Sequence, residues 1–395
     1  MYDVVISGAG PAGSRCAEVF AKNGYKIALI ERDTQWRKPC GGGVNSSLVK
    51  YYPKLREFDK AKKVAIKIYS ADFSVLEHVY ADTEDNFIMT DRLEFDNFVR
   101  DLAIDAGAEL FDKNLSIDFV YNDNKRIGVA TKTSEGRKEY RGKLIVVADG
   151  MSSKLATRSG LRGKWKSEEI GIAKATILEG ENALDPNYAY TFLQAYKGYG
   201  WIFPIDDKRF NIGCGTFNED NLNFNLNKIY SEFVNNPLVK NFISGSELKH
   251  IWSGAYSVPS SGVLENSLYD DNLMLIGDAG GFVSPIIGEG IEAGVLSGQV
   301  AAEVGSKALE IGDLSAKTLK KYRIDKRVKS VIRDFKLKDS LKDFFFADGG
   351  KVINAIFKIA EQDKEFEESI GTVFLKGQAP PPDFFSRIKD TINSS

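Results

Sequence analysis

The sequence has 395 residues, 43% of them hydrophobic and 27% charged, which suffices for a full-sized core and favours two or three subdomains. A formal net charge of −2 excludes the strongly basic balance of a protein that binds nucleic acid along its whole surface. Three cysteines without zinc-type spacing and only two histidines disfavour structural disulfides, a metal site and a histidine-dependent hydrolase.

The start of the chain predicts a protein that stays inside the cell. Tyr2–Ser7 already has the pattern of a strand, which leaves no room for a signal peptide. No apolar run approaches the ~18 to 20 residues that cross a bilayer, so we expect a cytoplasmic protein with at most peripheral contact with the inner face of the cell membrane.

The first 31 residues predict the parallel β-α-β unit that binds dinucleotides. The strand Tyr2–Ser7 is followed by an alanine-rich helix over about residues 11–23, with Gly24 at its C′ position, and by a strand over residues 26–30. Such nearly continuous apolar strands are typical of a sheet that is covered on both faces.

Later segments divide between two sheets. Residues 144–148 and 273–276 predict buried strands that rejoin the first sheet, each followed by a turn with Asp and Gly. Residues 64–88 and 170–257 alternate in polarity and predict a second, mostly antiparallel sheet. Beyond about residue 312 the pattern is helical and rich in charge.

The segment GAGPAG carries the three glycines of the dinucleotide fingerprint directly after a strand. Gly8 permits the tight turn, Gly10 lets the backbone approach a pyrophosphate, and Gly13 allows the helix to pack closely on the strand. The N–H groups and dipole of the helix attract the phosphates. Glu31 lies at the ~20-residue offset at which a carboxylate accepts hydrogen bonds from the adenosine ribose.

Two further segments, VVADGMSS and LIGDAGGFVSPIIGEGI, complete a pattern that resembles the flavoprotein group of p-hydroxybenzoate hydroxylase and the geranylgeranyl reductases. Asp149-Gly150 resembles the second fingerprint of that group, and Gly277-Asp278 resembles the segment that contacts the ribityl chain of FAD. Asp278 can accept from ribityl hydroxyls. A helix that begins near Ile291 would direct its positive end at N1 and O2 of a reduced flavin.

The resemblance implies FAD as the cofactor and a set of residues that bind it. Arg92, in TDRLEFDNF, matches an arginine that approaches the FAD phosphates in relatives, although a surface cap or an ion pair is the commoner role of such a residue. The full set is Gly8, Gly10, Pro11, Ala12, Gly13, Glu31, Arg32, Cys40, Gly41, Gly42, Arg92, Asp149, Gly150, Gly277, Asp278, Pro285, Gly288, Gly290 and Ile291.

The resemblance also implies an α/β fold like that of p-hydroxybenzoate hydroxylase, with a Rossmann-like FAD-binding domain interleaved with a mostly antiparallel substrate domain. We expect the FAD-binding domain in residues 1–63, 90–165 and 263–311. The substrate domain is expected in residues 64–89 and 166–262, and C-terminal helices in residues 312–395.

Two more motifs, KPCGG at residues 38–42 and YGWIFP at residues 199–204, resemble the geranylgeranyl reductase subgroup, which reduces isolated double bonds of isoprenoid chains. On a strand, Tyr199, Trp201 and Phe203 share one face and would form an aromatic wall for a polyprenyl chain. An ordinary packed sheet face is the alternative.

The chemistry of an isolated alkene suggests a mechanism. Protonation would give a tertiary cation, which the faces of Tyr199 and Trp201 could stabilise by ~1 to 2 kcal/mol before hydride arrives from flavin N5. Cys40 is a candidate for the acid or for a redox-sensing thiol, and a small buried hydrophobe is the equal alternative. We therefore predict Cys40, Tyr199, Trp201 and Phe203 as catalytic residues.

Other functions of the same architecture are left open. Halogenases carry WxWxIP, which Tyr199 and Phe203 do not match, so halogenation is disfavoured. An FAD-dependent aromatic hydroxylase is the main alternative, and a flavin electron-transfer protein without small-molecule chemistry is another.

Residues 317–342 contain 11 Lys and Arg residues against 3 Asp residues. This stretch, with the run Phe344 to Phe346, could contact an anionic membrane surface or a small acidic electron-donor protein. The alternative, which is the commoner arrangement, is a solvated helix with the phenylalanines in the core. No second glycine fingerprint follows a later strand, so we expect no dedicated nicotinamide-binding domain. The resembled family binds NAD(P)H transiently without one, which leaves NAD(P)H or a reduced ferredoxin-type protein as the electron donor.

Overall fold

The computed structural model describes residues 1–58, 61–72, 75–78, 87–194, 196–217, 225–243, 248–264, 268–374 and 379–394. These residues belong to two compact units, each assembled from three segments. The first unit contains residues 1–37, 93–166 and 261–335, and the second contains residues 38–92, 167–260 and 336–395. The domain boundaries that we expect from the sequence stay a prediction.

The strands are β1 (Tyr2–Ser7), β2 (Ile27–Ile30), β3 (Gly43–Asn45), β4 (Ala61–Tyr69), β5 (Val75–His78), β6 (Phe87–Thr90), β7 (Glu109–Phe111), β8 (Leu115–Asn122), β9 (Lys125–Thr133), β10 (Gly136–Val147), β11 (Ile170–Glu179), β12 (Tyr188–Leu193), β13 (Gly198–Pro204), β14 (Arg209–Phe217), β15 (Lys249–Pro259), β16 (Tyr269–Asp270) and β17 (Leu273–Leu275). The helices are α1 (Pro11–Lys22), α2 (Arg92–Asp105), α3 (Lys154–Arg158), α4 (Leu226–Asn235), α5 (Pro237–Ile243), α6 (Ile291–Glu310), α7 (Ala316–Ile324), α8 (Lys326–Phe345), α9 (Lys351–Ala360), α10 (Lys364–Phe374) and α11 (Phe384–Asn393).

The sheet of the first unit has the strand order β16-β17-β10-β1-β2-β7, and β8 and β9 continue from β10. The pairs from β17 to β7 are parallel. Alternate residues of β1 enter opposite cores, so that Val4 and Ile6 pack with residues of α1 and α6 while Val5 packs with residues of α3. Both faces are therefore covered, as the apolar strands predict.

The second unit is built on a sheet of order β15-β11-β14-β13-β12-β4-β6-β3, with β5 beside β4. Its pairs are antiparallel except for β12 with β4. One face buries Phe192, Ile202 and Phe210 against the apolar sides of α4 and α5. The opposite face is the one that carries the predicted aromatic wall.

These elements confirm the predicted fold class, with differences at element ends. The strand expected to begin at residue 144 begins at Gly136, because β10 pairs antiparallel with β9 before it pairs parallel with β1. The first half of β10 is mostly exposed and charged, and it has no apolar run that would mark it as a strand. The helical C-terminal pattern is confirmed by α7 to α11.

The run Phe344 to Phe346 belongs mainly to a core. Phe345 and Phe346 are 2% and 8% exposed, which favours the alternative of core phenylalanines for these two residues, and membrane contact of the segment stays a prediction. Phe344 is half-buried, because consecutive residues of a helix such as α8 point in different directions. Among the described helices, none is both long and apolar enough to cross a bilayer.

Candidate active site

The three glycines of the first fingerprint meet three different requirements. Gly8 has φ +102°, and a Cβ there would lie 2.3 Å from the carbonyl oxygen of Ala148. A Cβ at Gly13 would lie 1.8 Å from the carbonyl oxygen of Gly8. A Cβ at Gly10 would meet no described atom within 4 Å. The chain's own backbone thus requires Gly8 and Gly13, whereas Gly10 leaves open space for a ligand.

The open space at Gly10 lies at the N-terminus of α1. Gly10 is the N-cap residue, makes no side-chain cap, and is followed by Pro11 at the first helical position. Because no acidic residue occupies the first turn, the N–H groups and dipole of α1 favour a negatively charged ligand. This end of α1 fits a pyrophosphate.

Glu31 is held at the end of β2 by backbone N–H groups. Its carboxylate accepts from Ala9 at 2.8 Å, from Arg32 at 2.9 Å and from Asp33 at 3.2 Å. A carboxylate has about four lone-pair sites, so one position is left for a ribose hydroxyl. The guanidinium of Arg32 lies 4.2 Å from the ring centroid of Trp36, and a role for this side chain at the cofactor stays a prediction.

Asp149 carries a buried polar atom that suits a bound cofactor. Its Oδ1 is buried and accepts no hydrogen bond within the described part of the chain. Burial raises the pKa of Asp149 to about 6, although a hydrogen bond from Ser153 opposes the shift. Gly150 has φ +79°, and a Cβ there would meet nothing described within 4 Å. A hydroxyl or N–H group of a ligand would give Oδ1 its partner.

The sequence did not reveal the residues that fix this Asp149 loop. Arg162, which is 7% exposed, donates from Nη2 to the carbonyl oxygens of Met151 and Ser153, each at 3.2 Å. The indole of Trp165 donates to the same Met151 oxygen at 3.1 Å. Their spacing from the fingerprint follows no motif, so only the fold shows their role.

The third motif meets the first fingerprint. Gly277 has φ +58°, and a Cβ there would lie 2.9 Å from the Cβ of Ala12. In α6, a Cβ at Gly298 would lie 2.3 Å from the carbonyl oxygen of Ala12. The backbones of α1 and α6 therefore approach so closely that a side chain larger than that of glycine would not fit at the contact. This packing brings the two predicted cofactor segments together.

The turn before α6 brings Asp278 and Gly290 together, because a Cβ at Gly290 would lie 3.5 Å from Asp278 Oδ1. Pro285 is buried, Gly288 has φ +64°, and Ile291 begins α6, as the sequence predicts. The N–H of Glu292 donates at 2.8 Å to Oε1 of Glu289. One N–H group at this end of α6 therefore already has a carboxylate partner, which weakens the electrostatic attraction between α6 and an anionic ligand.

FAD fits the residues of the first unit. The open N-terminus of α1, the oriented carboxylate of Glu31 and the partnerless Oδ1 of Asp149 match a pyrophosphate, a ribose and a further polar group of the cofactor. Arg92 begins α2 and is 5% exposed, and its contact with FAD phosphates stays a prediction. The same holds for Cys40, Gly41 and Gly42 as cofactor residues.

In the second unit, Tyr199, Trp201 and Phe203 line one face of β13. The ring centroids of Tyr199 and Trp201 are 5.8 Å apart, and those of Trp201 and Phe203 are 6.2 Å apart. Trp201 is buried, whereas Tyr199 and Phe203 are half-buried. A Cβ at Gly213, directly opposite on β14, would lie 2.2 Å from the Trp201 ring, so the indole occupies the space that a side chain at that position would need.

The segment KPCGG packs on this aromatic face. A Cβ at Gly41 would lie 2.6 Å from the Phe203 ring and 3.2 Å from Trp201 Nε1. Gly42 has φ +86°, and its N–H donates to the Sγ of Cys40 at 3.5 Å. Cys40 is half-buried, whereas the two other cysteines are fully buried. The structure thus brings the two geranylgeranyl reductase motifs together.

A second aromatic pair, Trp252 and Tyr256, was missed. Directly paired residues of adjacent strands share a face, so the register places Tyr199, Gly215, Ala173 and Tyr256 in one row. The row holds two small residues between two tyrosines, and all four are half-buried. The signal was present in WSGAY of β15, where the aromatic residues recur at an even spacing.

Comparison with known proteins gives the family. The model of the FAD binding domain family matches residues 1–323. A digeranylgeranylglycerophospholipid reductase of Methanocella arvoryzae is 29% identical over 349 residues, covering 86% of each chain. That of Methanospirillum hungatei is 28% identical over 379 residues, covering 92% of this chain and 91% of the relative.

A solved structure is also similar. A geranylgeranyl bacteriochlorophyll reductase-like protein of Thermoplasma acidophilum superimposes with a TM-score of 0.84 at 24% identity, covering 99% of each chain, which supports the fold. The predicted resemblance to geranylgeranyl reductases is confirmed by the relatives. Because the family model spans most of its length, this chain belongs to the FAD binding domain family and is an FAD-dependent oxidoreductase.

Proposed function

We propose that this protein saturates isolated C=C bonds of geranylgeranyl chains in membrane lipids or their precursors. The observation that carries the proposal is the packing of the KPCGG segment on the aromatic face of β13. The names of the relatives, which are reductases of digeranylgeranylglycerophospholipids, agree with it.

The half-buried row from Tyr199 to Tyr256 suits an apolar chain better than a polar ring. Gly215 and Ala173 carry little side-chain bulk between the two tyrosines at its ends. Apolar and aromatic surface of this kind stabilises a bound isoprene unit through burial.

Reduction adds one proton and one hydride to each double bond. Reduced FAD, when bound, supplies the hydride from N5 and is oxidised. Protonation of one alkene carbon leaves a tertiary cation on the other, and the electron-rich faces of Tyr199 and Trp201 stabilise that cation. We assign the proton to the thiol of Cys40, whose sulfur is oriented by the N–H of Gly42.

The electron donor in this proposal is NAD(P)H or a reduced ferredoxin-type protein, and the enzyme works at the inner face of the cell membrane. The basic segment of α7 and α8 supports peripheral contact, since its exposed members in the first unit are Lys317, Lys320, Lys321, Lys326, Lys329 and Arg333. Sedimentation with vesicles of anionic lipid, compared with neutral vesicles at equal salt, tests this contact.

The decisive experiment is a single-turnover reaction. The FAD-loaded protein is reduced with dithionite without oxygen and mixed with a digeranylgeranylglycerophospholipid, while flavin absorbance and product mass are followed. We expect reoxidation of the flavin together with a product that is heavier by pairs of hydrogen atoms.

Two other results would each replace the proposal. Reoxidation only after oxygen and a phenol are added, with oxygen incorporated in the product, would show an aromatic hydroxylase. Reoxidation only by a redox protein would show an electron carrier.

A further inference from the structure

We propose that Asn211 is a positioning residue that holds the Cys40 loop against the aromatic wall. Asn211 lies on β14 in the row between Phe203 and Ile177 and is 4% exposed. Its Nδ2 donates to the carbonyl oxygen of Cys40 at 2.8 Å. Its Oδ1 accepts from Trp201 Nε1, also at 2.8 Å. One side chain therefore joins both motifs.

The two partners of Asn211 require a side chain that donates and accepts at the same time. An indole N–H can only donate, and a backbone carbonyl can only accept. A carboxamide meets both demands with its two ends, and the partners also fix which end is oxygen. A carboxylate can satisfy only Trp201, and an aliphatic side chain can satisfy neither.

Asn211 is buried, so the loss of either of its hydrogen bonds is costly. A buried polar group that loses its partner costs free energy, so the Cys40 carbonyl and the Trp201 indole each depend on Asn211. The other contacts of the loop leave the Cys40 carbonyl to Asn211, since Gly41 lies on the rings of Phe203 and Trp201 and the carbonyl of Gly42 accepts from the N–H of Thr90 at 3.1 Å. Asn211 is thus the side chain that ties the backbone of Cys40 to the wall and so positions its thiol.

The test measures the accessibility of the Cys40 thiol. We would follow the reaction of FAD-loaded protein with 5,5′-dithiobis(2-nitrobenzoate), with Cys40→Ser giving the background of the buried Cys16 and Cys214. In Asn211→Asp the bond to Trp201 persists and the bond to Cys40 is lost. We expect the Cys40 reaction to accelerate by about tenfold, which corresponds to the loss of one buried hydrogen bond.

Two further variants separate positioning from general damage. Trp201→Phe removes the indole donor together with part of the ring but keeps the bond from Asn211 to Cys40, so it should accelerate the thiol reaction by less than Asn211→Asp does. Asn211→Leu should match or exceed Asn211→Asp. The matched control is Asn235→Asp, because Asn235 is an exposed asparagine of α4 that donates to Ser231, and it should leave the rate unchanged. Equal rates in wild type and Asn211→Asp would overturn the proposal.

A kinetic readout rests on the proposed function. In single-turnover lipid reduction, Asn211→Asp should lower the maximal rate constant about tenfold while the lipid concentration that gives half of this rate changes little, because the wall remains. An unchanged rate constant would overturn the kinetic part. If wild type reduces no lipid alkene, the proposed function fails, and the thiol rates still decide the role of Asn211.

Discussion

The two units define their sites in different ways. In the first unit, backbone geometry makes the site, through the left-handed Gly8, the crowded Gly13 and the open N-terminus of α1. In the second unit, side chains from several strands and one loop would make the proposed site, through Trp201, Asn211 and the Cys40 segment. A site made of backbone leaves a short glycine pattern, whereas one made of side chains leaves only scattered residues.

The largest effect should come from a change that removes the cofactor while leaving the fold intact. A Cβ at Gly10 meets no described atom within 4 Å, so Gly10→Val should fold, yet it places bulk where the pyrophosphate approaches. We expect FAD affinity to fall by about 1,000-fold or more, equivalent to roughly 4 kcal/mol. Titration of the apoprotein with FAD, together with the Tm of the apoprotein, measures both.

Two glycines provide the comparison for Gly10→Val. Gly13→Val should unfold the apoprotein, since its Cβ would lie 1.8 Å from the Gly8 carbonyl. Gly163→Val, at an exposed site that is equally open, should change neither affinity nor Tm. The assignment of Gly10 to the site of the pyrophosphate would be wrong if Gly10→Val bound FAD as wild type does.

This contrast explains what the sequence could predict. The β-α-β unit, Glu31 and the helix that begins at Ile291 are local patterns, and the structure has them where the sequence predicts them. The sharing of a face by Tyr199, Trp201 and Phe203 follows from the strand period alone. These features need no knowledge of which strands are neighbours.

What the sequence could not predict depends on pairing between distant segments. Asn211 is 171 residues from Cys40, and Trp252 joins the aromatic face only because β15 pairs with β11. Arg162 anchors the Asp149 loop through backbone oxygens, a contact that any residue type could accept. Such contacts follow from sheet order, which a single sequence does not specify.

The next largest effect concerns the proposed proton donor. Cys40→Ala should lower the rate of lipid reduction by about 100-fold or more, the contribution typical of a general acid, while FAD stays bound. Rapid mixing of reduced enzyme with lipid measures the rate. Cys214→Ala is the control, because Cys214 is fully buried among Phe192 and Ile212 on the opposite face, and it should keep the rate. A Cys40→Ala enzyme of full rate would end the acid role.

Phenylalanines on the two faces of the second sheet sharpen the comparison within one unit. Phe203→Leu removes a ring from the wall and should lower the rate of lipid reduction about tenfold, with a smaller loss of stability than Phe192→Leu because Phe203 is only half-buried against Val64 and Met89. Phe192→Leu alters the core on the other face and should cost about 1 to 2 kcal/mol of unfolding free energy with an almost unchanged rate. Urea unfolding and single turnovers measure the pair, and if both variants lost only stability, the wall would be ordinary core.

The smallest effect concerns Asp149, for which binding and stability should change in opposite directions. Burial raises the pKa of this carboxyl to about 6 in the folded chain from 3.8, so its ionisation opposes folding. The apoprotein is therefore most stable where the carboxyl is protonated in both the folded and the unfolded chain, and it loses stability as the pH rises from about 4 to about 6. Asp149→Asn should therefore unfold at a higher Tm than wild type at pH 7, and the difference should vanish near pH 4.

The same variant should bind FAD about fivefold more weakly at pH 7, because an amide oxygen is a poorer acceptor than a carboxylate. Asp123→Asn, at an exposed carboxylate between β8 and β9, controls for the change of charge. A stabilised apoprotein with weaker binding means that the first unit keeps a costly buried carboxylate for its ligand. A variant that lost both stability and affinity would show instead that Asp149 stabilises the fold through its hydrogen bond with Ser153.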